Sequence, residues 1–181
     1  MDLVRARNVN IELINTGTEL MLGAVLNTHQ QWLCRQLADR GYVVTRQIAV
    51  ADTGLEIEQA VREALARADL ILTTGGLGPT ADDLTRDLIA RLLGKELHVD
   101  AAALANIESF FAARKRPMPA STTVQALVPA GARVLPNQHG TAPGLAIKVA
   151  PNPFRAAGRS SWLVMLPGPP RELRPMFIDH Q

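Results

Sequence analysis

The segment that most constrains the fold of this 181-residue chain is a short apolar run that leads into a glycine-rich turn. Residues 70–72 are apolar at every position, as in a strand that is covered on both faces in the middle of a parallel sheet. Gly75, Gly76 and Gly78 follow almost at once, and a helix-like pattern begins after them. A strand that turns directly into a helix belongs to a β-α-β unit, so the sequence predicts an α/β fold.

Strand and helix patterns alternate in the same way along the first half of the chain. Strands are predicted at residues 9–15, 42–50, 70–74, 132–135, 144–149 and 162–166. Helices are predicted at residues 28–40, 53–65, 80–93 and 101–114, with a short one near Ser121. Right-handed crossovers between such strands give a mostly parallel sheet, and the length suits a single domain spanning residues 1–181.

Composition excludes several classes of function. A hydrophobic content of 47% with 20% charged residues is typical of a soluble globular protein. The net charge of +2 and the 4% of aromatic residues give no reason to expect a nucleic-acid partner. No apolar run approaches membrane-spanning length, and residues 1–10 lack the apolar segment of a signal peptide. We therefore expect a cytoplasmic protein with no membrane partner.

Four unusual loops follow predicted strands. They are residues 17–19, Asp52 with Thr53, residues 75–83, and residues 167–170. Ligands of open α/β sheets bind at the carboxyl ends of the strands, so these loops are expected along one edge of the sheet. The turn with Gly75, Gly76 and Gly78 allows close backbone approach, and a helix N-terminus behind it favours a phosphate. Its spacing fits neither the dinucleotide-binding nor the P-loop pattern.

Carboxylates accompany these loops, and each has an ordinary structural explanation. Asp83 stands three residues after Thr80, where it can reach back to a helix cap, and Asp82 also complements a helix dipole. Glu19 suits a plain loop position, and Asp52 suits an N-cap. Several carboxylates around a phosphate cradle are nevertheless what Mg²⁺-bridged phosphate chemistry needs. Both readings of Asp82 and Asp83 stay open from spacing alone.

Six motifs make the chain resemble the CinA family, within the wider group of MoaB/MogA-like molybdopterin-binding domains. They lie at residues 74–86, 15–20 with Gly23 and Asn27, 116–119, 140–144, 166–172 and 175–177. The resemblance implies a three-layer α/β/α fold that forms a homo-oligomer, a dimer or a trimer, with its pocket around the glycine turn. It also implies that relatives continue beyond the segment 168–170, so the chain is expected to be truncated or a short stand-alone member. Longer CinA proteins carry a nicotinamide mononucleotide deamidase domain, which is not expected after Phe177.

Two activities are implied by the resemblance. Relatives in molybdenum-cofactor synthesis bind molybdopterin and adenylylate it with ATP and Mg²⁺, whereas the CinA branch cleaves the pyrophosphate of ADP-ribose with a metal. The resemblance implies that the aspartate of the relatives' motif falls on Asp83, and that a second acidic position falls on Asp52. We expect a nucleotide pyrophosphatase that uses Mg²⁺ or another divalent cation. The alternatives are adenylyl transfer to molybdopterin, or a module that binds a pterin or nucleotide without turnover.

The expected site residues fall into three sets. Catalytic roles are assigned to Asp83, Asp52 and Glu19, and metal binding to Asp83, Asp82 and Glu19. Phosphate or nucleotide contacts are expected from Thr74, Gly75, Gly76, Gly78, Thr80, Gly17, Thr18, Gly140, Thr141, Gly168 and Pro169.

Overall fold

The structure of the protein is a computed structural model, and it describes residues 9–180 of the chain. Most of residues 1–10, which were predicted not to form a signal peptide, thus lie outside the described residues. No helix between residues 9 and 180 is long and apolar enough to cross a membrane.

Eight strands and six α-helices make up the described chain, with two 3₁₀ segments at Ala120–Ala126 and Ala156–Gly158. The strands are β1 (Ile11–Thr16), β2 (Val44–Val50), β3 (Leu70–Thr74), β4 (Leu97–Val99), β5 (Leu127–Pro129), β6 (Arg133–Leu135), β7 (Gly144–Val149) and β8 (Ser161–Leu166). The helices are α1 (Thr18–Met21), α2 (Thr28–Ala38), α3 (Gly54–Leu65), α4 (Thr85–Leu92), α5 (Ala101–Ala113) and α6 (Pro170–Asp179).

Six of the strands form the central sheet in the order β2-β1-β3-β8-β7-β6. The strands β2, β1, β3 and β8 run parallel, β7 runs against β8, and β6 runs against β7. Five of the six strands therefore point the same way. This mostly parallel sheet confirms the predicted α/β class.

Helices cover both faces of the sheet, because successive strand residues point to opposite sides. On one face, Leu33 of α2 and Leu173 of α6 pack with Leu13 of β1. On the other face, Ile57 of α3 and Leu88 of α4 belong to a second core cluster. The expected three-layer α/β/α arrangement is confirmed.

The helix predicted to begin at Thr80 begins at Thr85 instead. The Asp83 carboxylate accepts hydrogen bonds from the Thr80 amide at 3.0 Å and from the Thr80 hydroxyl at 2.5 Å, which closes a separate turn before the helix. The amide of Thr85 then donates to the Gly76 carbonyl at 3.1 Å and ties the helix start to the glycine turn. The predicted contact between Asp83 and Thr80 forms, but Asp82 and Asp83 do not lie in the first turn of α4.

Other elements also differ from the prediction. The loop at residues 17–19 continues into the short helix α1, and the strands β4 and β5, where no strand was predicted, pair with each other. Helix α6 follows Pro169, where the prolines predicted only a loop. Proline is compatible with the first position of a helix because the amide there needs no partner within the helix.

Candidate functional site

The strand directions bring five loops to one edge of the sheet. The loops after β2, β1, β3 and β8 sit at the carboxyl ends of four adjacent parallel strands. Strand β6 points the same way as β8, so residues 136–143, with Gly140 and Thr141, begin at that edge too. The expected phosphate-binding residues therefore come from loops that share this edge.

The glycine turn has no room for side chains on its inner side. Gly75 adopts φ 97°, and a Cβ placed there would lie 2.6 Å from the Thr16 hydroxyl oxygen. Gly76 adopts φ 68°, and its Cβ would collide with the Thr85 side chain. A Cβ at Gly78 would collide with the Asp83 carboxylate. The turn consequently presents backbone to the site edge, as close approach to a phosphate requires.

The loop after β8 lies against this turn. The Gly75 amide donates to the Leu166 carbonyl at 3.0 Å, and a Cβ added to Gly168 would lie 3.7 Å from the Gly75 Cα. Two glycine backbones thus meet where the strands β3 and β8 end. Pro169 follows as the residue before α6, whose N-terminus faces the same edge.

The loops after β1 and β2 are joined by a pair of hydrogen bonds. The Thr18 amide donates to the Asp52 carboxylate at 3.0 Å, and the Asp52 amide donates to the Thr18 hydroxyl at 3.3 Å. Glu19 folds back over Gly17, where an added Cβ would lie 2.6 Å from the Glu19 Oε1 atom. Asp52 is therefore a brace between two loops, while α3 is capped by Thr53.

Of the four candidate carboxylates, Asp52 is the one that bonds with another loop in the described part of the chain. Asp83 binds Thr80 through Oδ2, and Asp82 is exposed. Within residues 9–180, no group of three or more His, Cys, Asp or Glu side chains lies close enough to hold a metal ion by itself. Mg²⁺ in nucleotide sites commonly takes one or two carboxylates and completes its shell with phosphates and water. Asp83 and Glu19 follow the adjacent parallel strands β3 and β1, and they supply carboxylates of that number at this edge.

A further wall of the edge is built from residues 136–143. The buried Asn137 side chain donates to the Ala142 carbonyl at 2.8 Å and to the Glu172 carboxylate at 2.8 Å. Glu172, in the first turn of α6, packs on Gly140 so tightly that a Cβ there would collide with the carboxylate. Thr141 also lines a small cavity of about 60 Å³ beside the start of α5.

Several polar residues that sequence reasoning did not assign to the site form hydrogen bonds with residues of its loops and strand ends. Asn15 donates to the Thr74 hydroxyl at 2.6 Å, and Asn27 donates to the Asn15 carbonyl oxygen at 2.9 Å. The Nε2 atom of His29 lies 2.5 Å from the carbonyl oxygen of Gly168. Asn15 and Asn27 stand in the motifs on which the resemblance to the CinA family rests, and those motifs were the available signal.

Burial lowers the pKa of the His29 imidazole below its ordinary value of 6.5, and the positive charge of Arg174 acts in the same direction. The hydrogen bond with the Gly168 carbonyl opposes this shift. The neutral imidazole is therefore favoured, with Nε2 as the donor to Gly168. Its Nδ1 atom is buried without a hydrogen-bond partner in the described part of the chain.

Comparison with known proteins places the fold and the motifs in one family. A family model described as a probable molybdopterin binding domain matches residues 12–180. A competence-damage inducible protein of Geobacillus sp. (strain WCH70) is 47% identical over 172 residues, which cover 95% of this chain and 39% of that protein. A CinA-like protein of Akkermansia muciniphila is 41% identical over 174 residues, 96% of this chain and 40% of that protein.

Solved structures agree with this assignment. The protein CinA of unknown function from Thermoplasma acidophilum is similar with a TM-score of 0.79 and 32% identity, over 94% of both chains. The tungsten cofactor synthesizing protein MoaB from Pyrococcus furiosus shares the fold with a TM-score of 0.61 at 17% identity, over 96% of this chain and 90% of that one. The chain spans about 39% of the length of the first of these curated relatives. It belongs to the molybdopterin-binding domain family and, within it, to the CinA-like proteins.

Proposed function

We propose that this domain hydrolyses the pyrophosphate bond of an ADP-ribose-like nucleotide at the shared edge of the sheet. The observation that carries the proposal is the hydrogen bonding of the two Asp83 carboxylate oxygens. Both of its hydrogen bonds with Thr80 use Oδ2, and within residues 9–180 Oδ1 accepts none. A carboxylate fixed on one oxygen and free on the other, beside a turn of bare backbone, suits a group that positions water at a phosphate.

The chemistry requires a water molecule to attack one phosphorus while its bond to the bridging oxygen breaks. AMP and ribose 5-phosphate leave, and the water proton passes to a base. Asp83 would orient the water and accept the proton through Oδ1. The amides of Gly76 and Gly78 are the groups we assign to the phosphate oxygens. The Gly75 amide already donates to the Leu166 carbonyl, so Gly75 contributes the close backbone approach instead.

Mg²⁺ or another divalent cation, when bound with the substrate, would supply charge neutralisation on the phosphates. We assign Glu19 to hold it directly and Asp83 to hold it through the water that Asp83 orients, with Asp82 as an exposed neighbour. Asp52 would keep the loops after β1 and β2 in place through its bonds with Thr18. Thr80, Gly140, Thr141, Gly168 and Pro169 would line the remaining walls.

Adenylyl transfer to molybdopterin is the second candidate, favoured by the match of residues 12–180 to the molybdopterin-binding family. It also handles an AMP group and a pyrophosphate bond, with the pterin phosphate instead of water as the acceptor. A module that binds a pterin or nucleotide without turnover is the non-enzymatic alternative. Product analysis separates all three.

The test is incubation with ADP-ribose and MgCl₂, followed by chromatography for AMP. We expect wild type to release AMP and Asp83→Asn to lower the rate by at least about 100-fold, because a neutral amide is a poor proton acceptor. The matched control is Asp39→Asn, since Asp39 is an exposed residue just past the end of α2. Release of AMP by Asp83→Asn at the wild-type rate would contradict the role of Asp83.

A further inference from the structure

A chain of amide side chains connects the N-terminus of α2 to the last residue of β3, and the proposed function leaves it unused. Asn27 caps α2, with its Oδ1 atom accepting from the Gln30 amide at 3.2 Å. Its Nδ2 atom donates to the Asn15 Oδ1 atom at 2.9 Å, and the Asn15 Nδ2 atom donates to the Thr74 hydroxyl at 2.6 Å. Asn15 and Thr74 are both buried.

The N-terminus of α2 fixes which group donates and which accepts in each of these side-chain hydrogen bonds. The free amide of Gln30 in the first turn of α2 needs an oxygen, so Asn27 presents Oδ1 to the helix and Nδ2 to Asn15. Asn15 consequently meets Asn27 with its oxygen and meets Thr74 with its nitrogen. A nitrogen that carries hydrogens makes the Thr74 hydroxyl an acceptor, which leaves the hydroxyl hydrogen available.

That hydrogen has no acceptor among residues 9–180, although Thr74 is only 2% exposed. Leaving a buried donor unpaired is unfavourable, so a partner is expected from outside the described chain. Thr74 ends β3 and directly precedes Gly75, at the edge where the ligand loops meet. An ionised phosphate oxygen is a pure acceptor and matches this donor.

We propose that Asn27 and Asn15 are positioning residues that commit the Thr74 hydroxyl to donate to a phosphate oxygen at the glycine turn. The inference rests on the proposed function, since it needs a phosphate at that turn, and it adds a rule of selectivity. A ligand atom that accepts is bound at Thr74, whereas a group that must donate there has no partner.

The test exchanges the donor and acceptor roles of the Asn15 side chain without removing the helix cap. Asp is as good an N-cap as Asn, so Asn27→Asp keeps the bond with the Gln30 amide but cannot donate to Asn15. The Asn15 amide then turns its nitrogen toward the introduced carboxylate and its oxygen toward Thr74, which donates to Asn15 instead of to the ligand. We expect the Kd for AMP, measured by calorimetry, to rise about 10- to 100-fold, with a thermal midpoint close to wild type.

Two further variants separate this effect from simple charge repulsion. Thr74→Val removes the hydroxyl and should weaken AMP binding to the same degree. In the double variant Asn27→Asp/Thr74→Val, the Kd for AMP should be no higher than in Thr74→Val alone, because the two changes remove the same hydrogen bond between Thr74 and the ligand. Thr28→Asp, which adds the same charge at the next, exposed residue of α2, should bind AMP nearly as wild type does.

A neutral variant covers the case in which Asn27→Asp folds poorly. Asn27→Ser retains a capping oxygen but is too short to reach Asn15, and it should weaken AMP binding as Asn27→Asp does. Wild-type affinity in both Asn27 variants, or additive losses in the double variant, would overturn the inference while the proposed function stands. A wild-type protein that binds no AMP would overturn both.

Discussion

At the scale of single residues, the glycine turn is shaped by what its neighbours already occupy. Gly76 combines a positive φ of 68° with the Thr85 side chain, whose Cβ would lie 2.8 Å from an added Cβ. Gly94 has a similar φ of 62° but no atom within 4 Å of the added Cβ. The two positions therefore separate backbone strain from steric collision.

We predict that Gly94→Ala lowers the free energy of unfolding by about 1 kcal/mol, the cost of a left-handed conformation alone. Gly76→Ala should cost more, about 2–4 kcal/mol, because the turn or Thr85 must also shift. Urea denaturation followed by circular dichroism measures both values. Equal losses in the two variants would contradict a steric collision between a methyl group added at Gly76 and Thr85.

At the scale of elements, the start of α4 illustrates what a sequence pattern can and cannot predict. Apolar spacing correctly predicted a helix ending near Leu92, and the Thr80–Asp83 spacing correctly predicted their contact. The same contact also fits an isolated turn, and only the bond from Thr85 to the Gly76 carbonyl decides for a later start. Long-range bonds of this kind leave no mark in local periodicity.

The site follows the same rule. The loops after strands could be placed on one edge because parallel strands end together, and that required only the order of elements. The link from Asn27 through Asn15 to Thr74 includes a bond between residues 59 positions apart. The contact of His29 with Gly168 joins residues 139 positions apart. Such pairs depend on tertiary geometry, so sequence reasoning left His29 and Asn15 without a role.

Helix α2 also carries a titrating group. The folded-state pKa of His29 lies below 6.5, so the folded protein binds fewer protons than the unfolded chain at mildly acidic pH. The stabilising effect of the neutral imidazole is complete above its unfolded pKa and is lost as the pH falls through the folded pKa. Arg174 on α6 is the cation that adds to this effect.

We therefore predict that the free energy of unfolding falls as the pH is lowered from about 7.5 to about 5.5. The fall should be smaller in His29→Gln, whose amide can still donate to the Gly168 carbonyl. His98→Gln, at an exposed position on β4, serves as the control and should keep the wild-type dependence. A wild-type pH dependence in His29→Gln would mean that His29 is not the group responsible.

At the scale of the whole molecule, the described surface has an apolar segment beside the site. Met21, Leu22, Val25 and Leu26 are 48–88% exposed and follow the loop after β1. Contiguous exposed apolar groups favour association. We propose that a second copy of the chain covers this segment, in line with the expected homo-oligomer.

Light scattering after size exclusion tests the assembly. Wild type should have a mass two or three times the 19.6 kDa of the chain, and Leu22→Ser/Leu26→Ser should shift it toward the monomer. Val43→Ser changes an exposed apolar residue just before β2, away from this segment, and should leave the mass unchanged. A wild-type monomer at high micromolar concentration would contradict the proposal.

The fate of the water oxygen during turnover decides whether this domain is a hydrolase. In water enriched in ¹⁸O with ADP-ribose and MgCl₂, we predict that one ¹⁸O enters AMP or ribose 5-phosphate for each bond cleaved, as mass spectrometry would detect. Asp83→Asn should lower the rate at which labelled product forms by at least about 100-fold, and Asp39→Asn should not. Unconsumed ADP-ribose, or transfer of AMP to an added pterin without ¹⁸O uptake, would contradict a hydrolase at this edge of the sheet.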